Sequence, residues 1–363
     1  MKKSPLKLGF QGWFLNQPHT GIGKHCIGLL EALAQSKKVE LTVVVPKALL
    51  ASELKNLGLT KKQVHVVKPK AWLPHVALKK WFWEAVQVPA FFARKKLEWE
   101  YYPYPCPLPS TSRHLRAMTV HDLILWNDAR YQGNRLKKKY YREALRALIH
   151  VDHIFTVSKA THDELGIPAA TVLPNAVTVP KRTHVQKKSN PQATKNLVYL
   201  GGYELRKNVP LLIQRFLELH KKSPEFRLLL IGEPHQKSQL YPPIPEHPAV
   251  LRLGRKTDAE VFALLESAHA FVHASDSEGF NLPLLEAMLA GTPALVTDLA
   301  VNHEVSKETA LFWNPSKKNS LGAILESIQT PAERNAVILR QKDAAKSYSW
   351  VRSAKLLIQA LQQ

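Results

Sequence analysis

The stretch Ser275-Asp276-Ser277-Glu278-Gly279-Phe280-Asn281-Leu282-Pro283-Leu284-Leu285-Glu286-Ala287-Met288 decides how this chain folds. An apolar run, Ala270–His273, precedes it and a second, Ala294–Val296, follows it. Between them lies a polar Gly-containing loop. A helix-length stretch follows, with Pro283 suited to its first turn. Strand, loop, helix, strand is the unit of a parallel sheet covered by helices. Glu278 falls in the loop and Glu286 about a turn into the helix, so the two carboxylates can face one cleft. Hydroxyls of a sugar or a ribose are suitable donors to them.

Outward from that unit the same alternation recurs. Leu197–Leu200, Val209–His220, Arg227–Ile231 and Asp258–Ala268 precede it as strands and helices. An earlier series comprises Lys7–Phe10, Gly23–Ala34, Glu40–Val45, Arg116–Val120 and His153–Val157. With 363 residues the chain exceeds what one core usually supports. The expectation is a first domain over 1–177, a linker over 178–193 and a second domain over 194–340. Residues 341–363 would form a terminal helix whose apolar face, Trp350, Ala354, Leu357, Ile358 and Leu361, packs back on the first domain.

Composition narrows the class. Hydrophobic residues make up 45% and charged residues 22% of the chain, enough for folded cores and too few breaks for disorder. No uncharged run is long enough to cross a bilayer, and Lys7, Gln11 and Asn16 interrupt any signal peptide, so a cytoplasmic protein is expected. Cys26 and Cys106 lie far apart without metal-ligand spacing and read as reduced, partly buried thiols. The formal net charge is +22. Residues 1–175 hold 27 Lys and Arg against 12 Asp and Glu, and the remainder 24 against 17. Such a field attracts phosphates, whether of nucleic acid, anionic lipid or substrate.

Three further segments carry candidate chemistry. Gln17-Pro18-His19-Thr20-Gly21-Ile22-Gly23-Lys24 joins a strand to a helix, where glycines admit close approach to a phosphate or sugar. It is not a phosphate-cradling loop of the usual GxxxxGK[ST] type, and a plain tight turn explains it equally well. Val120-His121-Asp122 should lie at the carboxyl end of a strand, where open α/β sheets bind ligands; alone it reads as a histidine held by its neighbouring carboxylate. Tyr199-Leu200-Gly201-Gly202-Tyr203-Glu204-Leu205-Arg206-Lys207-Asn208 frees the backbone after a strand and brings two cations toward a helix N-terminus, which suits a diphosphate. A solvated basic turn is the alternative. Asp276-Ser277-Glu278 lacks the further acidic groups of a metal site, so no metal and no cofactor are expected.

Taken together, Tyr199–Asn208, Leu253-Gly254 with Asp258-Ala259-Glu260-Val261, and Glu278–Glu286 running on to Gly291-Thr292-Pro293 resemble the retaining glycosyltransferases of family 4. Gly21-Ile22-Gly23-Lys24, Trp83-Glu84, Val120-His121-Asp122, Thr156-Val157-Ser158 and Leu173-Pro174-Asn175 fall in the same family order. The resemblance implies an α/β protein of the GT-B class, two Rossmann-like domains whose parallel sheets face an interdomain cleft. It implies that Arg206 and Lys207 hold the diphosphate of a nucleotide sugar, that Glu286 holds the ribose and that Gly21 and Gly23 approach the donor. His121 and Glu278 would be the catalytic pair at the transferred sugar. Two departures affect loop geometry: Asn281 and Ala176 stand where glycine is usual.

The implied reaction moves a hexose from a GDP-, UDP- or dTDP-sugar to a glycan or lipid-linked acceptor, with retention, in cell-envelope synthesis. A nucleotide-sugar epimerase on the same fold is the nearest rival; a nucleic-acid-binding protein is disfavoured because no known module appears. The aromatic and basic stretch Trp72–Trp99 reads as a peripheral contact with an anionic membrane, with Trp83 turned inward and Lys79, Lys80, Arg94, Lys95 and Lys96 facing lipid.

Overall fold

The computed structural model describes residues 4–131, 133, 135–180, 195–233 and 246–363. It divides into two compact units, residues 1–177 with 348–363, and residues 178–347. Most of the linker expected over 178–193 lies outside the described residues.

The first unit is built on seven strands: β1 (Leu6–Gln11), β2 (Val39–Val45), β3 (Val64–Val66), β4 (Trp99–Tyr102), β5 (Leu115–Val120), β6 (His153–Thr156) and β7 (Thr171–Val172). They run in the order β3-β2-β1-β4-β5-β6-β7, every pair parallel. Strands covered on both faces need continuous apolar side chains, and Val43, Val44 and Val45 of β2 are accordingly all fully buried. β1 pairs Gln11 with Val44 on one side and Phe10 with Tyr101 on the other. The chain thus leaves β1 in one direction and returns beside it as β4, which opens a switch point at their carboxyl ends. Trp99, the last residue of the aromatic stretch above, opens this fourth strand, Trp99–Tyr102.

The last helix, Trp350–Leu361, belongs to this unit. Ser349 caps it, its hydroxyl accepting from the Arg352 N–H. Trp350, Ala354, Leu357, Ile358 and Leu361 are all buried in the core that contains Leu29, Leu30 and Leu33 of the helix Gly21–Ala34. The approach is close: a Cβ on Gly28 would lie 2.1 Å from Trp350 Cε2, so glycine is required there. The division between the units falls between Ser347 and Tyr348, not at 340, which is inside the helix Pro331–Ala345.

The second unit repeats the plan with β8 (Lys195–Leu200), β9 (Phe226–Ile231), β10 (Val250–Gly254), β11 (Ala270–Val272), β12 (Ala294–Thr297) and β13 (Leu311–Trp313). The order is β10-β9-β8-β11-β12-β13, again all parallel. Its switch point lies between β8 and β11. Among the described residues no helix is long and apolar enough to cross a membrane.

Candidate active site

The two segments singled out in the second half, Tyr199–Asn208 and Ser275–Met288, follow β8 and β11, the strands that flank its switch point. After β8 the backbone turns at Gly201, φ +150°, beneath Gly232, φ +124°. A Cβ on Gly232 would lie 2.0 Å from the Gly201 carbonyl oxygen, so this crossing is open only to glycine. A single turn, Leu205–Lys207, then leads through Asn208 in the left-handed region into the helix Val209–His220. The loop after β11 is tied to it by two bonds: Asp276 N–H to the Arg206 carbonyl, 2.8 Å, and Asn208 Nδ2 to the Ala274 carbonyl, 3.2 Å.

On that frame Arg206, Lys207 and Glu278 meet. Arg206 Nη1 donates to Glu278 Oε2 at 2.6 Å and to the Ser277 carbonyl at 2.8 Å, while Lys207 Nζ donates to Glu278 Oε1. His273 Nε2 stands 3.3 Å from the same Oε1. Its Nδ1 is buried without a hydrogen-bond partner, so the neutral ring presents Nε2–H to the carboxylate and to Ser275 Oγ, 3.1 Å away. Burial pushes the Glu278 pKa up, but Arg206, Lys207 and His273 together outweigh it and hold the carboxyl well below its usual range. Burial and neighbouring Arg206 lower the Lys207 ammonium, a shift that Glu278 opposes. Glu204 adds a second carboxylate, 3.2 Å from Arg206 Nη2. The two cations expected to stand ready for a diphosphate are therefore already neutralised by resident carboxylates.

Glu286 is buried in the helix Leu282–Ala290 that the Glu278 loop enters. Asn281 caps that helix at φ +65°, a conformation asparagine tolerates, its Oδ1 accepting from Leu284 N–H and its Nδ2 donating to Asn302 Oδ1 at 2.8 Å. That bond explains how asparagine serves where glycine was expected.

In the first unit the two glycines separate. A Cβ on Gly23 would meet the Gln17 carbonyl oxygen at 2.0 Å, so this glycine is demanded by the turn itself. A Cβ on Gly21 would touch nothing within 4 Å; the turn does not explain it. His121 follows β5, and its ring is held by the Pro103 carbonyl, 2.8 Å from Nε2, rather than read as a ring held by Asp122. The carbonyl only accepts, so Nε2 carries the proton and Nδ1 the lone pair. Beside it, edge-on at 4.7 Å, lies His25, which is fully buried between Asn175 Oδ1 (2.7 Å) and the Tyr101 hydroxyl (3.1 Å). Burial lowers His121 to about 4, and burial with the neighbouring His121 lowers His25 to about 3, so both rings are neutral at ordinary pH.

The sequence reading missed a second charged cluster here. Glu84 is fully buried, accepts from the Tyr104 and Tyr140 hydroxyls (2.8 Å for Tyr140), and pairs with Lys80 Nζ at 3.0 Å. Lys80 also donates to Tyr140 at 2.7 Å and lies over the Tyr104 ring at 4.8 Å. It is thus turned inward and does not face lipid as expected. Trp83 is inward, fully buried with its indole N–H on the Val67 carbonyl. Cys26 and Cys106 are fully buried, not partly.

Two parallel sheets of matching order, each with its switch point at the carboxyl ends, define the GT-B fold. The chain superposes on sucrose-phosphate synthase from Thermosynechococcus elongatus (TM-score 0.72, 15% identity, 99% of this chain and 98% of that one). It also superposes on HepE of Anabaena in complex with UDP-glucose (TM-score 0.69, 15% identity, 98% and 99%). Residues 180–342 match the family Glycosyl transferases group 1, and the chain carries a glycosyltransferase domain of that group. In sequence it is 26% identical over 339 residues to the O-antigen chain mannosyltransferase RfbU of Salmonella typhimurium, spanning 87% of this chain and 89% of that protein.

Proposed function

We propose that this protein transfers a hexose, mannose being the first candidate, from a nucleoside-diphosphate sugar to a glycan or lipid-linked acceptor in surface polysaccharide synthesis. The convergence of Arg206, Lys207 and Glu278 at the second sheet's switch point carries this reading. The similarity to a protein named an O-antigen chain mannosyltransferase supports the acceptor class, and that to a structure holding UDP-glucose supports the donor class. Arg206 and Lys207 stabilise the charge that develops on the departing diphosphate, Glu278 contacts the moving sugar, and Glu286 holds the ribose. Gly21 leaves room for the donor. His121, neutral with its Nδ1 lone pair available, accepts a hydrogen bond from a sugar or acceptor hydroxyl. The anomeric configuration is retained, with the leaving phosphate taking the acceptor proton on the face it departs from. Because two side-chain cations meet the diphosphate, turnover needs no metal. The protein works at the cytoplasmic face of an anionic membrane.

The test is a panel of GDP-mannose, UDP-glucose and dTDP-rhamnose with purified protein and a lipid-linked glycan, run with and without EDTA. We expect one donor to be consumed only when acceptor is present, insensitively to chelator, and NMR of the product to show the donor's anomeric configuration. Consumption of donor without acceptor would point to an epimerase and overturn the reading. Loss of activity in EDTA restored by magnesium would overturn the metal-free mechanism.

A further inference from the structure

The Glu278 carboxylate occupies its two cations as a diphosphate would. One oxygen takes Arg206 Nη1 at 2.6 Å and the other takes Lys207 Nζ. Both partners are largely enclosed, with Lys207 7% and Glu278 5% exposed, while Arg206 keeps 17% of its side chain open to solvent. Arg206 Nη1 and one N–H of Lys207, which a phosphate oxygen would use, are therefore already committed to Glu278, in surroundings where charge-assisted bonds are strong. The backbone of the two loops is pinned by the Asp276–Arg206 and Asn208–Ala274 bonds. Exchange of partners is accordingly a side-chain event, not a loop opening.

From this geometry we infer that Glu278 is a resident counter-ion, which an arriving nucleoside diphosphate displaces from Arg206 and Lys207 and which reclaims them as the diphosphate leaves. The inference rests on the donor-site reading above. It deepens that reading by giving Glu278 an opposing effect on the two halves of the cycle. While the carboxylate is paired, it competes with the phosphates and weakens their binding. Once displaced, it is free to turn to the sugar, and its return to the cations speeds release of the spent nucleotide. His273, whose Nε2–H faces Glu278 Oε1 at 3.3 Å, helps hold the resting position. The strong depression of the Glu278 pKa, caused chiefly by Arg206 and Lys207, fits a carboxylate that is ionised while it holds the two cations.

The sign of one measurement separates this from a static ion pair. In calorimetric titrations with GDP and UDP, Glu278→Gln should bind the preferred nucleotide about tenfold tighter than the wild type, because a competing charge worth a charged hydrogen bond has gone. Product inhibition should tighten in step while kcat falls. Glu278→Asp, whose shorter carboxylate cannot span both cations, should give a smaller gain and serves if the glutamine variant does not fold. Arg206→Ala is the control and should weaken nucleotide binding. If Arg206→Ala weakens binding but neither Glu278 variant tightens it, the donor site stands and the counter-ion role is overturned. If Arg206→Ala leaves nucleotide binding unchanged, the donor-site reading itself fails.

Discussion

The two sheets share a plan and differ in what stands at their switch points. Each puts its first strand in the middle, the next two to one side and the fourth on the other. At the first crevice, Gln11 at the end of β1 donates to Tyr104 just beyond β4, and Tyr104 donates to a Glu84 that is fully buried and saturated by Lys80 and Tyr140. At the second, Arg206 and Lys207 after β8 meet Glu278 after β11. The first cluster is closed by tyrosines that donate into it, while the second keeps a partly open guanidinium. One topology therefore supplies the place twice, and the side chains decide whether it is a polar strut or a site for an anion. The distribution of charge sharpens the contrast: the more basic half of the chain carries the neutral crevice, with His25 and His121 both uncharged.

Substitution at the two crevices should break that symmetry in different observables. Arg206→Ala removes a donor that strengthens as the diphosphate departs, and we expect kcat/KM to fall about 10²–10³-fold, mostly in kcat. Steady-state kinetics of the folded variant check it; near-wild-type values would remove the second crevice from the chemistry. Glu84→Ala should act on stability instead. It leaves a largely enclosed lysine without its carboxylate, at a cost of about 3 kcal/mol in denaturant unfolding. Replacing the pair together, Lys80→Met with Glu84→Gln, should recover about half, since no charge is then left stranded. A Glu84→Ala protein of unchanged stability would show that the first cluster is not a strut.

The second crevice was legible in the sequence because its chemistry is local: paired glycines, adjacent cations and a glutamate in a loop before Pro283 can each be read in short segments. Their meeting across about 70 residues follows from strands that neighbour one another at a switch point. The first crevice was not legible for two reasons. Trp99–Tyr102 hides a strand in an aromatic run with no alternation to mark it, buried as it is on both faces. Lys80 and Glu84 look like an ordinary i, i+4 surface pair, and only the tyrosines brought in from 104 and 140 show that they point inward. His273 was hidden at a strand end, though its position directly after β11 was a signal. Asn281 shows the opposite case, an apparent departure absorbed by one side-chain bond to Asn302.

If the first crevice is neutral, the excess charge of that half must lie elsewhere, and the helix Arg135–Arg146 is where it gathers. Its Lys137, Lys138, Lys139 and Arg142 are exposed, and Leu136 and Ile149 beside them are 58% and 79% exposed. The Lys80–Tyr140 bond ties this helix to Val76–Phe82, which follows the equally exposed Trp72. Cations at headgroup depth contribute about 1 kcal/mol each, so Lys138→Ala should lower binding to vesicles containing anionic lipid about fivefold, with binding also weakened by salt and lost on neutral vesicles. Lys80→Met should leave vesicle binding unchanged, because its ammonium already faces Glu84 and two tyrosine rings. Cosedimentation of the two variants at matched ionic strength separates the surface from the interior. A loss with Lys80→Met as large as that with Lys138→Ala would place Lys80 at the lipid after all, and would take the closed first crevice, and the contrast built on it, down together.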